Sequence, residues 1–320
     1  MPDASRGAEA RSAEVQFSVV ICTWNRAPVL RRALASHVGT RVPAGVTWEL
    51  LVVDNASTDN TAAVVAEFAE RLPLRYLREP TPGLSHARNA AVRAARGAYM
   101  AWADDDAFVE PGWLAAYARA AERWPDAALF AGPILPQFEP PPPSWLERAL
   151  PVVGNAYALL DYGAEPVALG GELLPFGANY AVRTAEQRRH LYLPHLGRVG
   201  THLGAGEETV VARAVLAEGG PGWYVPDARV AHLVPAARQS VDYLRRWYAD
   251  AAASAAPTLA DGTGAYLLGR PRWVWRAAFE QQARYWLTRW TAPPERWASH
   301  MRQASTAWGV LRARGWSARQ

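Results

Sequence analysis

Three consecutive aspartates, Asp104-Asp105-Asp106, close the apolar run Tyr99–Ala103 and stand just before Glu110-Pro111-Gly112-Trp113. Adjacent like charges repel each other and resist desolvation, so packing alone gives a buried strand no reason to end this way. A divalent cation and a phosphate group just beyond the strand would supply the reason. Magnesium and manganese take hard oxygen ligands, commonly one or two carboxylates plus substrate phosphates. Open α/β sheets place their ligand crevice beyond the carboxyl ends of the strands, where these acids would lie. The alternative is an acidic turn leading into the helix that Pro111 starts.

The flanking sequence supports a sheet of this type. Phe17–Cys22 (FSVVIC) is a continuous apolar run, as expected of a strand covered on both faces. Leu30, Leu34 and Val38 follow at helical spacing. Trp48–Val53 (WELLVV) is the next strand, and Asp54-Asn55-Ala56-Ser57 breaks it with turn chemistry. Val64, Val65, Phe68 and Leu72 are again helical, Leu74–Leu77 is a short strand, and Ser85–Arg96 is a helix that Gly97 stops. Tyr99–Ala103 and Ala127–Gly132 complete the alternation, which predicts a mostly parallel sheet with helices on both faces.

The prolines 140–143 end this regularity and read as a stiff surface linker. Beyond them come an apolar stretch near Ala149–Leu160 and a Gly-rich stretch, Gly197–Gly206, opening a helix over Glu207–Glu218. Two strand-like runs, Trp223–Val225 and Arg229–Val234, precede helices that reach the end of the chain.

In a parallel sheet the ends of the first, second and later strands lie along one edge. That edge would gather Trp24 and Arg26, Asp54, and the aspartate triplet. Trp24 can stack on a nucleobase, Asp54 can accept from a ring N–H, and a metal on the aspartates can bridge two phosphates. These groups suit a nucleoside diphosphate.

The stretches SVVICTWNRAPVLRRAL, ELLVVDNASTDNT, GLSHARNAAVRAARGAYMAWADDD and GAGEETVVARAVLAEG resemble, in order and spacing, the successive motifs of inverting family 2 glycosyltransferases of the GT-A fold. The resemblance spans roughly Phe17–Pro235. It implies a metal-dependent transfer of a sugar from a nucleotide-sugar donor, most simply UDP-linked, to an acceptor hydroxyl, with Mn2+ or Mg2+ as cofactor. By position, Thr23, Trp24 and Asp54 would hold the base, and Arg26, Arg88 and Asp105 would lie at the nucleotide. Asp104 matches the ribose-contacting acid and Asp106 the metal ligand. Glu207-Glu208 stands where the family has Glu-Asp, which makes Glu208 the general base and Glu207 a donor-sugar contact. The extra methylene of Glu208 departs from the family pattern, and the pair also suits a helix N-terminus. His232 resembles a histidine that completes the metal site in some members, although a strand histidine can equally be structural.

The implied division is 1–16 disordered, 17–132 a nucleotide-sugar-binding α/β half, 133–238 an acceptor-binding and catalytic half, and 239–320 a C-terminal helical extension. The competing functions are a sugar-phosphate nucleotidyltransferase, which should carry a Gly-rich basic loop not found here, and a catalytically silent nucleotide-sugar-binding protein of the same fold. No dinucleotide or Walker loop, zinc spacing or nucleophile elbow is present, and no nucleic-acid partner is implied.

Charge is unevenly distributed. All 34 basic residues are arginine, and from Gly269 to Gln320 ten Arg face two Glu, a net of +8 that leaves −4 elsewhere. That segment also holds seven of the fifteen tryptophans. Trp275, Phe279, Trp286 and Trp290 share one helical face, which predicts either packing on the body or peripheral contact of 269–320 with a membrane and a lipid-linked acceptor. One cysteine, no apolar leader and no spanning run point to a cytoplasmic protein, at most peripheral at the inner face of the membrane.

Overall fold

The strands form where apolar, largely β-branched runs can be covered on both faces, and their polar tips fall on one edge. The computed structural model describes residues 15–194, 196–198, 206–256 and 265–313. The expected disorder of 1–16 lies almost wholly outside the described residues, as does most of the Gly-rich stretch 197–206.

From the start of the fold, β1 (Phe17–Thr23), α1 (Ala27–Val38), β2 (Trp48–Asp54), α2 (Thr61–Ala66), β3 (Leu74–Arg78), α3 (Leu84–Ala94) and β4 (Tyr99–Ala103) alternate as the sequence predicts. Next come β5 (Ala107–Val109), α4 (Trp113–Arg123), β6 (Leu129–Ala131), β7 (Ile134–Glu139) and α5 (Ser144–Val153). They are followed by β8 (Asn179–Arg183), α6 (Thr184–Arg189), α7 (Glu207–Ala217), β9 (Gly222–Tyr224) and β10 (Val230–Pro235). The main sheet has the order β3-β2-β1-β4-β8-β6-β9. Its first four strands are mutually parallel, β8 runs antiparallel to both neighbours, and β6 and β9 are parallel.

Sequence pattern did not predict β8. Its five residues are nearly all buried, so no polar alternation marks it, and a Gly-Ala step precedes it. Nor did it predict a second sheet, β5-β10-β7, whose strands are short and whose pairing joins segments about a hundred residues apart. The proline connector is tied down at its start: Glu139 pairs with Arg32 at 2.7 Å, and Gln239 donates to the Pro140 carbonyl at 2.8 Å.

Gly97 makes the sheet possible at its lower edge. A Cβ there would sit 2.3 Å from the backbone nitrogen of Ser18, so only glycine lets the chain enter β4 so close to β1. Asn179, fully buried at the start of β8, ties together α4 and the segments at Pro133 and Ala228. Its Oδ1 accepts from Trp113 Nε1 (2.8 Å) and the Tyr117 hydroxyl (2.7 Å), and its Nδ2 donates to the carbonyls of Pro133 (2.9 Å) and Ala228 (2.6 Å).

A second core forms C-terminally from α5, a 3-10 turn at Gly154–Tyr157, α8 (Val241–Ala255) and α10 (Pro294–Arg312). Helix α10 lies so close to α8 that a Cβ on Gly309 would fall 2.2 Å from the Ala249 carbonyl. Between these helices come a small hairpin, β11 (Tyr266–Leu267) and β12 (Arg270–Pro271), and α9 (Arg272–Thr288). The face that α9 buries is Val274, Ala278, Gln282 and Tyr285, not the stripe of Trp275, Phe279 and Trp286. Small residues allow close approach of α9 and leave the bulkier rings at its flank and outside.

Asn179→Leu keeps the volume and removes all four bonds, leaving an indole N–H, a phenol and the Ala228 carbonyl without these partners in the core, while the Pro133 carbonyl keeps the Val230 N–H at 3.1 Å. At ~1 to 3 kcal/mol per orphaned group, the loss should be about 3 kcal/mol or more. The urea midpoint should fall with the slope unchanged. A variant within about 1 kcal/mol of wild type would show that Asn179 is not the tie described.

Candidate active site

A cavity of about 790 Å³ opens beyond the carboxyl ends of β1 and β4. Trp24 (41 % exposed), Asn55, the start of α3, the aspartate triplet, the start of α7 and Trp247 of α8 contribute to its walls.

The loops after β1 and β2 are held together by asparagines. Asn25, in the left-handed region at φ 51°, accepts from the backbone N–H groups of Thr58 (2.7 Å) and Asp59 (3.2 Å). Asn55 accepts from the Gly83 N–H (2.7 Å) and donates to the Thr81 carbonyl (2.7 Å), which pins the approach to α3 against the tip of β2. Asp54 is buried behind this tip: it accepts from the Ser57 N–H (2.8 Å) and the Tyr76 hydroxyl (2.5 Å), with Arg78 3.5 Å away.

The three aspartates divide. Asp105 turns towards β1, where it accepts from the Thr23 hydroxyl (2.8 Å) and pairs with Arg26 (2.5 Å). Burial, opposed by Arg26 and reinforced by Asp106, pushes its carboxyl up to about 6. Asp104 and Asp106 instead converge with His232, their ligand atoms lying within 4.8 Å of one another. Strand register brings the histidine there: His232 lies opposite Ala107 in the β10–β5 pair, and the Leu233 N–H donates to the Asp106 carbonyl at 2.9 Å. His232 Nδ1 is 2.9 Å from the Tyr157 carbonyl and Nε2 is 3.2 Å from Asp106 Oδ1.

Asp106 meets further positive charge at its other oxygen, from Arg26 (2.6 Å) and Arg238 (3.2 Å). Burial disfavours the carboxylate, but His232, Arg26 and Arg238 outweigh it and hold Asp106 well below the usual range. Burial likewise opposes the imidazolium, and Asp106 more than compensates, so the His232 pKa is raised. Two carboxylates and one imidazole nitrogen suit Mn2+ or Mg2+, the nitrogen favouring manganese. The Tyr157 carbonyl behind Nδ1 is the usual means of turning Nε2 towards a metal.

Arg88, buried on α3, connects the two acidic clusters. Its guanidinium lies 2.9 Å from Glu207, 3.6 Å from Asp104 and 3.9 Å from Glu208, beside the rings of Trp102 and Tyr192. A Cβ on Gly177 would come within 2.5 Å of this guanidinium, so glycine leaves it room. Glu207 Oε2 is buried without a hydrogen-bond partner among the described residues. Burial first, then Glu207, pushes Glu208 up to about 7, against the pull of Arg88. Cys22 lines the same cavity, but burial pushes its thiol to about 12, which keeps it neutral and poorly nucleophilic.

The candidate residues Thr23, Trp24, Arg26, Arg88, Asp104, Asp105, Asp106, Glu207, Glu208 and His232 thus line one cavity, with Asp54 behind its wall. Sequence reading missed Arg238, Asn25 and Asn55. Arg238 stands six residues beyond His232, but only the second sheet turns it to Asp106.

Residues 18–157 match the family model described as Glycosyl transferase family 2. The chain is 27 % identical over 237 residues to the succinoglycan biosynthesis protein ExoM of Rhizobium meliloti, covering 72 % of this chain and 71 % of that protein. It is 34 % identical over 103 residues to the chondroitin synthase of Escherichia coli, of which it spans 15 %, with 32 % of this chain covered. Among solved structures, a mannosyltransferase from Pyrobaculum calidifontis in complex with GDP-Man and Mn2+ superposes with a TM-score of 0.54 at 20 % identity, over 92 % of this chain and 72 % of that one. S. aureus TarS residues 1–349 with UDP gives 0.54 at 16 % identity, over 93 % and 91 %. These similarities establish the GT-A fold.

The role of Arg88 can be tested without any substrate. Arg88→Met leaves Glu207 and Glu208 without their counter-charge, at a cost of about 3–5 kcal/mol. Arg88 lowers the Glu208 pKa, so its loss raises that pKa and penalises the charged form most at alkaline pH. The deficit should therefore be largest near pH ~8 and shrink towards pH ~5.5 as Glu208 protonates. Urea denaturation at both values checks this, and a pH-independent deficit would contradict the charge argument.

Proposed function

With residues 18–157 this chain belongs to glycosyl transferase family 2 and is a glycosyltransferase, and from that premise we propose that it inverts the anomeric centre while moving a sugar from a UDP-linked donor to an acceptor hydroxyl with a divalent cation bound. The observation that carries this reading is a carboxyl at about 7, on Glu208, sharing one cavity with the Asp104–Asp106–His232 cluster.

Glu208 takes the acceptor's proton as general base. Its pKa near neutrality suits that task, because the carboxylate is largely formed at pH above 7 yet still basic. The acceptor oxygen then bonds to the anomeric carbon on the face opposite the departing phosphate, whose C–O bond breaks with both electrons. When bound, the cation acts as a Lewis acid on the diphosphate, stabilising the charge that develops there. Asp106 and His232 would hold it, with Asp104 beside them able to complete the cluster or to accept from the ribose. Arg26 and Arg238, both already at Asp106, can reach diphosphate oxygens from the same side.

Glu207 Oε2, buried and without a hydrogen-bond partner among the described residues, is the acceptor for a donor-sugar hydroxyl. Trp24 offers its exposed face to the base. Asp54 accepts already from Ser57 and Tyr76, so a direct bond to a uracil N–H requires the Tyr76 hydroxyl to turn away. Thr23 and Asp105 act by orienting Arg26, and Arg88 acts by orienting Asp104 and Glu207.

Glu208→Gln should bind donor normally and lose ~10² to 10⁴ in turnover. In the wild type, kcat/KM should fall about tenfold per pH unit below about 7 and level off above it, because the base must be ionised. Unimpaired turnover in Glu208→Gln would remove it from the mechanism.

Asp106→Asn should abolish the strengthening of UDP binding by manganese in calorimetry, and Trp24→Ala should weaken UDP by ~1 to 3 kcal/mol, the range of base stacking. Donor hydrolysis with manganese tests the reaction class: release of UDP supports a transferase, whereas pyrophosphate chemistry or no turnover would favour the alternatives.

A further inference from the structure

The outer face of α9, continued by the turn that follows it, is an exposed apolar feature that the transferase reading leaves unused. Phe279 is 60 % exposed, Trp286 67 %, Leu287 75 % and Trp290 85 %, and at the other end Leu268 of the hairpin is 82 % exposed. These side chains are one surface. Trp275 stacks on Phe279 at 6.2 Å and donates to the Leu267 carbonyl at 2.9 Å, which joins the hairpin to the helix. Trp308 of α10 packs edge-on against Phe279 at 5.2 Å and extends the patch sideways. A soluble surface rarely gathers this many large apolar groups unless something covers them.

We infer that this face seats the protein on an anionic lipid bilayer. The charge around the aromatics selects the occupant. Arg272, Arg276, Arg284 and Arg289 belong to the same helix and its end, against the single acid Glu280. Glu280 is held between Arg284 (2.6 Å) and Arg276 (3.7 Å) and leaves the surface net positive. Tryptophan rings with arginines beside them match the interfacial layer of a membrane, where indoles sit at headgroup level and basic residues meet anionic lipid.

A second copy of the chain fits less well. Two such faces brought together would oppose their arginines across the contact. The helix lies on the surface and does not span: among the described residues none is long and apolar enough to cross a membrane. The contact does not depend on the transferase reading.

The test is co-sedimentation of the full chain with vesicles of phosphatidylcholine alone or mixed with phosphatidylglycerol, at low and high salt. Binding should require the anionic lipid and decline with salt, as surface charges are screened within ~8 Å at physiological ionic strength. The triple variant Trp286→Gln, Leu287→Gln, Trp290→Gln removes only exposed groups, so thermal denaturation and donor hydrolysis should be unchanged while partition drops about tenfold or more. Arg272→Gln with Arg276→Gln should lower binding selectively to anionic vesicles. No sedimentation at low salt, or equal sedimentation of the triple variant, would overturn the inference. So would a wild-type dimer in solution that the triple variant abolishes, because the face would then be an interface between copies.

Discussion

One buried guanidinium holds the acidic end of the cavity in place. Arg88 projects from α3 into a space bounded by Trp102, Tyr192 and Gly177, and there meets acids from two distant segments, Asp104 at the tip of β4 and Glu207-Glu208 at the start of α7. Without a cation between them, these carboxylates would repel one another in a poorly solvated site. With it, they can stand close enough to address one substrate. The same charge keeps Glu208 near neutrality when burial and Glu207 together would raise its pKa further.

A second set of charges is built around Asp106, and it depends on the small sheet. Register in the β10–β5 pair brings His232 to one oxygen, and the turn after β10 brings Arg238 to the other, beside Arg26 from the first loop. A carboxylate with two arginines and a histidine for partners is held well below the usual carboxylate range despite its burial. With Asp104 and His232 beside it, its oxygens could hold a divalent cation. The cavity thus has two electrostatic centres, one around Asp106 and the other around Arg88.

The C-terminal helices show how composition can be legible while orientation is not. The arginine and tryptophan excess and the helical spacing of Trp275, Phe279, Trp286 and Trp290 are plain in the chain. Periodicity finds an apolar stripe but does not say which stripe faces the protein. Two stripes exist on α9, and the smaller residues Val274 and Ala278, together with Tyr285, take the inner place because they permit close packing on α10.

Sequence alone determined the alternating half of the fold, from β1 to β4, because local periodicity suffices where each strand pairs with near neighbours in parallel register. It also determined the acids, since Asp104 and Asp106 at a strand end and Glu207-Glu208 at a helix start are each unusual in their local setting. Tertiary structure alone decided the antiparallel β8, the β5-β10-β7 sheet, the arrival of Arg238, and the withdrawal of Asp54 behind Ser57 and Tyr76. These features share a physical cause. Each depends on contacts between segments far apart in the chain or on which partner wins a side chain's hydrogen bonds, and neither leaves a periodic trace in the residues that take part.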